Sequence, residues 1–488
     1  MANYSQSRPS ILLELDLPDH LSKAYLIDPF VSLTRGYPPG FCFSVTRPPT
    51  EPYIVSKPSI PRVRPSRDSP HAGAPSTMAS KKHCKPYARQ SEPSEAFPVI
   101  GFVGKARRQA ATTIQQPEMV HHATVEPEIS AAVDAIRMRW IETASSRDHS
   151  EWWADGQGRV ASATMECAQL RFVEKDDQPL HSSSPRWAEI TRSPSSHPVP
   201  KTHTYINKSS SSVLSVSLPD DYQLYLPPKS GFSLALLEDF HRLVPKLNHV
   251  DGWDAVVIDP PWENKSASRS SKYKSVELYD LFKLRLPQLL GENGGKSALV
   301  AIWVTNRPKV WFRRFLMTKF MPDSQIVGAY AEWYWVKLTG SPVRNGETIL
   351  SEGGKPIFDL SSDSPRRCYE EAFHQAGVIL GWYTPKTMAS ATPTYSLPPK
   401  RMFMSTPMDH SRKPNLAELL QPYLPKNPNF LELFARTTSC LIPIDKTDQG
   451  NYHSDSRQGF WHSVGDESPK FNGSPWVDKI LTTSCTDS

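Results

Sequence analysis

The apolar positions of this chain fall into two regimes that meet near Tyr222. Beyond that point, short apolar runs alternate with stretches whose apolar residues recur every three or four positions. Ala255–Ile258 and Ala298–Val304 are unbroken runs of small, β-branched and aromatic residues, the pattern of strands buried on both faces of a parallel sheet. Tyr222–Leu226, Ala329–Lys337, Val378–Gly381, Arg401–Ser405 and Phe430–Phe434 read as further strands, and the second is rich in aromatics. Helical spacing appears over Gly231–Leu243 (Leu234, Leu237, Phe240), Glu277–Leu290 (Leu278, Leu281, Phe282, Leu286), Val310–Phe320 and Leu416–Tyr423. Strands alternating with helices predict an α/β layered sheet.

Before Tyr222 the pattern is sparse. Residues 1–128 are dominated by Pro, Ser, Arg and Lys, with apolar islands at Ile11–Leu17 and Phe97–Val103 that are too small for a core. The expectation is a basic, mostly disordered region. Residues 129–215 are mixed: a helix is predicted over Ile129–Thr143, where Ile129, Ala132, Val133, Ile136 and Trp140 share a face, followed by linker with a short ordered piece at Ala161–Val173. A globular domain is expected over 222–472 and a tail over 473–488.

Composition supports this division. Proline is 47 of 488 residues, about twice the usual share, and it crowds the first half. The formal net charge is +6. The excess is uneven, with eleven Lys or Arg against four acids between Glu51 and Gln115. Such an arm suits phosphates without sequence reading, and suits a solvated tail equally well. The six cysteines (Cys42, Cys84, Cys167, Cys368, Cys440, Cys485) form no CxxC pair and no ligand spacing with His. Neither a metal site nor a disulfide framework is expected, and a reducing compartment follows. No apolar run has signal or membrane-spanning length, so no membrane partner is expected. No GxGxxG follows a strand and there is no Walker A, which disfavours dinucleotide and P-loop chemistry.

The chemistry concentrates after Ala255–Ile258, where the chain reads Asp259-Pro260-Pro261-Trp262. Neither proline can continue a ladder, so the strand ends at Asp259. Its carboxylate then stands at the carboxyl end of a central strand, where open α/β sheets hold ligands. An acid, rigid carbonyls and a flat indole suit a nitrogen-bearing planar ring such as a nucleobase. The same residues also fit a Pro-capped strand end with a structural Trp.

Asp259-Pro260-Pro261-Trp262-Glu263-Asn264 resembles the signature of the eukaryotic N6-adenine methyltransferases, the family of the mRNA adenosine methyltransferase catalytic subunit, and within it the branch named methyltransferase-like protein four. Trp303–Asn306, Glu332–Lys337, Ser411–Pro414 and Leu431–Arg436 resemble later family segments in the same order. The resemblance implies a circularly permuted Rossmann-like methyltransferase fold with S-adenosylmethionine as cofactor and adenine in RNA or DNA as partner, RNA first. It implies catalysis at Asp259, Pro260, Pro261 and Trp262, with Asp259 and the Pro260 carbonyl accepting the two amine N–H groups. It places Ile258, Asp259, Lys413, Arg436, Asp466 and Glu467 on the cofactor, and Trp262, Glu263 and Asn264 on the substrate. A nuclear location is implied, with the cytosol as the alternative. Nothing in the sequence indicates a protein partner.

The match has two interruptions. Thr437–Gln458 resembles nothing in the family and separates Arg436 from Trp461–Glu467, which looks like the family's ribose-gripping segment with Asp466 in place of Asn. Glu371–Gly377 separates Tyr369-Glu370 from Val378–Gly381. Both fit surface loops or retained intron sequence. An inactive homologue that binds nucleic acid or joins a complex is the alternative function.

Overall fold

The computed structural model describes residues 10–17, 23–27, 37, 41–46, helical residues 127–129, 131–136 and 138–139, residues 169–173, 203–217, 222–247, 252–262, 281, 284, 286–291, 293–304, 330–337, 343–344, 347–348, 376–385, 396–405, 412–441, 459–474 and 476–479. In chain order the strands are β1 (Ile11–Asp16), β2 (Lys23–Ile27), β3 (Phe41–Thr46), β4 (Gln169–Val173), β5 (His203–Asn207), β6 (Leu214–Ser217), β7 (Gln223–Leu226), β8 (Ser230–Leu234), β9 (Ala255–Ile258), β10 (Ala298–Val304), β11 (Ala331–Lys337), β12 (Val343–Arg344), β13 (Glu347–Thr348), β14 (Ala376–Tyr383), β15 (Lys400–Ser405), β16 (Phe430–Leu433), β17 (Trp461–Gly465) and β18 (Val477–Lys479).

Eleven of them form one sheet in the order β1-β2-β15-β11-β14-β10-β9-β16-β17-β8-β5. The block β10-β9-β16-β17-β8 is parallel throughout. β14 runs antiparallel to both its neighbours, β10 and β11. Side-chain alternation divides the central strands between two cores. Val256, Ile258, Val300, Ile302, Leu431 and Leu433 enter one core with Phe240, Leu243 and Leu286–Leu290. Ala255, Val257, Leu299, Ala301, Trp303 and Phe430 enter the other, under Leu416–Leu424. Helical segments on both faces make this a layered α/β fold, as the alternation of elements predicted.

β9 and β16 lie side by side, and their onward connections diverge. From β9 the chain goes to β10 on one flank, and from β16 it goes to β17 on the other. A divergence of this kind opens a crevice at the carboxyl ends of the two strands. Asp259 and Arg436 both stand at that edge.

Two expectations are corrected, and one strand had not been read from the sequence. Gly231–Leu234 belongs to β8, and only Leu237–Leu247 behind it is helical. The Leu234, Leu237, Phe240 spacing spans a strand end and a helix that share one core, so it mimics a single helical face. Residues 1–128 are not without regular structure. β2 pairs in parallel with β15, and β1 pairs antiparallel with β2. Glu418 holds this hairpin, accepting the Ser10 and Ile11 amides at 2.8 and 3.0 Å. Ile129, Ala132, Val133 and Ile136 cover it, packing on Leu26, Met402 and Met404. The islands are too small to fold alone, but they complete an existing sheet edge. Finally, Trp461–Gly465 is a strand, which its polar residues His462 and Ser463 concealed. Val310–Phe320 and Phe97–Val103 lie outside the described residues.

Candidate active site at the carboxyl ends of β9 and β16

The ladder between β9 and β16 runs one residue past the strand, because the Asp259 amide donates to the Leu433 carbonyl at 3.1 Å. Pro260 then ends it. The Asp259 carboxylate projects from this rigid point and is one-fifth exposed. Lys413 Nζ lies 2.9 Å from each of its oxygens. The Trp303 ring, with its centroid 5.5 Å from Nζ, flanks the lysine. The neighbouring Arg412 is buried, with its guanidinium 4.0 Å from the Phe471 ring centroid and 4.8 Å from that of Trp476. The segment carrying Lys413 is thus anchored from one side.

The Pro-Pro turn folds back on itself, with the Trp262 amide donating to the Pro260 carbonyl at 2.8 Å. A carbonyl has two lone pairs, so Pro260 retains one for a ligand. Pro261 is partly exposed at the same turn. Trp262 departs from the expectation of a base-stacking surface. Its indole is 7% exposed, sits in the core beneath Leu286–Leu290, and donates from Nε1 to the Trp303 carbonyl at 2.9 Å. Once the ladder has closed at Asp259, two prolines reverse the chain and drop the indole into the layer below the sheet. Ile258 is fully buried in the same core, so its side chain does not line the crevice as expected. Glu263 and Asn264 lie outside the described residues.

The other wall comes from the turns after β16 and β17. Phe434 turns the chain with φ 61°, a left-handed conformation unusual for a bulky residue. Its ring contact with Phe240, 5.3 Å between centroids, accompanies the turn. Gly465 lets the two turns approach closely, since a Cβ there would lie 3.0 Å from the Ala435 carbonyl oxygen. Arg436 Nε is 3.1 Å from Glu467 Oε2, and Lys470 Nζ is 3.1 Å from Glu467 Oε1. Asp466 is partly buried beside them.

The interruption at Thr437–Gln458 does not separate this pair. β16 and β17 stay in register from Phe430 with Trp461 to Leu433 with Val464. Asn472 then clasps the near end of the insert. Its side chain accepts the Thr438 amide at 2.6 Å, donates to the Thr438 carbonyl at 2.8 Å, and donates to the Tyr37 hydroxyl at 2.8 Å. The second interruption also changes character: Ala376 and Gly377 belong to β14 and pair with Trp335 and Tyr334.

One site residue was not singled out from the sequence. Glu432 alternates away from Leu431 and Leu433 and faces the Lys413 side of the sheet. It accepts the Trp461 Nε1–H at 3.1 Å. Burial, and then the negative charge of Asp259, push its carboxyl up to about 8. An acid set between two leucines of a buried strand was the available signal. Because the folded carboxyl keeps its proton far above the unfolded one, the stability it contributes is full below about pH 4.3. That stability is lost as pH rises towards about 8, at about 1.4 kcal/mol per pH unit. Glu432→Gln lacks this titration. Urea unfolding at pH 5, 6.5 and 8 should therefore show wild-type stability falling relative to the variant as pH rises. A constant difference would remove the buried proton.

These groups suit a sulfonium nucleoside cofactor. Glu467 Oε2 is a buried carboxylate oxygen in ion contact with Arg436 and without a hydrogen bond. Among the described residues no group of His, Cys, Asp and Glu could hold a metal ion.

The MT-A70 family profile matches residues 253–443, from Trp253 before β9 to beyond β16. The human N(6)-adenine-specific methyltransferase METTL4 is 37% identical over 217 residues, covering 43% of this chain and 40% of that protein. The N6-methyladenosine RNA methyltransferase MTA1 of Pyricularia oryzae is 31% identical over 225 residues, covering 43% and 50%. The DNA N6-methyl methyltransferase of Caenorhabditis elegans is 27% identical over 226 residues, covering 46% and 52%. The chain thus spans about half or less of the length of these curated relatives.

Proposed function

We propose that this chain, whose residues 253–443 match the MT-A70 family profile, is an S-adenosylmethionine-dependent methyltransferase acting on the N6 amine of adenine in nucleic acid. The observation that carries the reading is that the Asp259–Lys413 and Arg436–Glu467 ion pairs stand at the carboxyl ends of the neighbouring strands β9 and β16, although their positions span more than two hundred residues.

The exocyclic amine of adenine is a weak nucleophile because its lone pair is delocalised into the ring. Asp259 accepts one N–H, and the remaining lone pair of the Pro260 carbonyl accepts the other. Two acceptors at fixed angles favour a pyramidal nitrogen whose lone pair points away from both. The bound cofactor supplies a methyl group on a sulfonium, already a good leaving group, so orientation is a large part of the work. Asp259 would hold the N–H whose proton passes to water as the methyl group is transferred and the sulfonium is left as a neutral thioether. Positive charge grows on the nitrogen during transfer, and the Asp259 carboxylate stabilises it. Arg436, Glu467 and Asp466 hold the cofactor's nucleoside part. The base leaves any helix to reach the crevice. Trp262 supports the Pro-Pro turn from below.

RNA is the first substrate class and DNA the second. The catalytic unit comprises 222–472 together with the sheet strands β1, β2 and β5. The basic arm fits work in the nucleus. The test is incubation of the full chain with methyl-labelled S-adenosylmethionine and adenine-containing RNA or DNA oligonucleotides, followed by nucleoside analysis. Label in N6-methyladenine is expected. Cofactor binding without transfer to either nucleic acid would favour an inactive homologue, and no binding at millimolar cofactor would end the enzyme reading.

A further inference from the structure

We infer that Lys413 is a positioning residue for Asp259, whose carboxylate it orients. The inference rests on the methyltransferase reading for its consequence, but the ion pair itself stands without it.

Three observations lead there. The two Nζ–Oδ distances are equal at 2.9 Å, so the lysine straddles the carboxylate and fixes its plane. Both partners stand on anchored backbone. Asp259 is tied to β16 by its amide and followed by Pro260, while Lys413 lies between the buried residues Arg412 and Pro414. The third carboxyl facing this pair, Glu432 on β16, is pushed up to about 8 by desolvation and then by the charge of Asp259. Lys413 on the 412–416 segment and Asp259 at the end of β9 are then one cation and one anion, matched to each other. The Trp303 ring of β10 closes the remaining side of the lysine.

The pairing does not block the proposed chemistry. An ionised carboxylate offers about four lone-pair sites, and the lysine takes two. One site on each oxygen stays open to an amine N–H, in a plane the lysine sets.

The test uses the full chain with Lys413→Met, Lys413→Arg and Asp259→Asn, each checked for folding by circular dichroism. The first measurement needs no activity: reductive methylation with formaldehyde and cyanoborohydride, read at Lys413 by mass spectrometry. Lys413 should modify several-fold faster in Asp259→Asn than in wild type, and equal rates would overturn the inference. The second separates binding from turnover. Lys413→Met should lower turnover at saturating cofactor by about tenfold or more, with cofactor Kd changed less than about threefold, and Lys413→Arg should recover part of the loss. A Kd raised about tenfold with turnover intact would return the lysine to the cofactor. If wild type binds no cofactor the enzyme reading fails, and the labelling contrast still decides the positioning of Asp259. Should Lys413→Met fail to fold, Lys413→Arg and Asp259→Asn carry both measurements.

Discussion

Asp259→Ala is expected to lower methyl transfer to adenine by about 10²–10³-fold, the usual effect of removing one preorganised group that meets charge developing in the transition state. The loss should fall on turnover, since the interaction strengthens only as the amine becomes cationic. Unfolding should change little. Asp259 is partly exposed, and the ladder bond it makes to Leu433 comes from its backbone, which alanine retains. Alanine leaves Lys413 without its partner, but that lysine is partly exposed and can reach water. Asp259→Asn tests charge apart from shape: it keeps one acceptor oxygen and loses the anion, so it should fall between wild type and alanine. Single-turnover rates with labelled cofactor, alongside thermal unfolding, check both. Retained transfer in Asp259→Ala would remove this carboxylate from the chemistry.

The second large effect is on stability. Trp262→Ala removes a buried indole from the core beneath β9 and β10 and leaves the Trp303 carbonyl without the Nε1 donor. Truncating a buried aromatic costs about 3–5 kcal/mol, a large fraction of the roughly 5–15 kcal/mol that holds a typical domain together. The variant should unfold well below the wild-type temperature or aggregate. Trp262→Phe keeps most of the packing and loses the hydrogen bond, so it should cost about 1–3 kcal/mol and stay active. A stabiliser of the Pro-Pro turn and a base-stacking platform differ in this test. A platform would make Trp262→Ala stable and raise KM for nucleic acid; the buried indole predicts the opposite. Urea unfolding of the three proteins, with KM measured wherever they fold, decides.

The same contrast shows what could be read along the chain. β9, β10 and β16 were visible because strands buried on both faces need continuous apolar runs, and theirs carry few polar residues. β17 was hidden because His462 and Ser463 interrupt its pattern. In the fold, His462 pairs with the Ser233 hydroxyl at 2.9 Å and Ser463 bonds to the Thr437 carbonyl at 3.3 Å. β1 and β2 were hidden for another reason. Their apolar residues are too few to fold alone and gain their value only against β15, which lies nearly four hundred residues further on.

What the sequence determined by itself was local. A strand must stop before two prolines, so Asp259 had to stand at a strand end, and alternating elements required a layered sheet. Which side chains share the crevice was decided only by the tertiary structure. The Lys413–Asp259 pair, the Arg436–Glu467 pair across the Thr437–Gln458 insert, the inward turn of Trp262 and the protonated Glu432 all depend on contacts between distant segments. Periodicity reports whether a residue is buried. It does not report what that residue is buried against, because pairing energy and desolvation exist only once the strands have met.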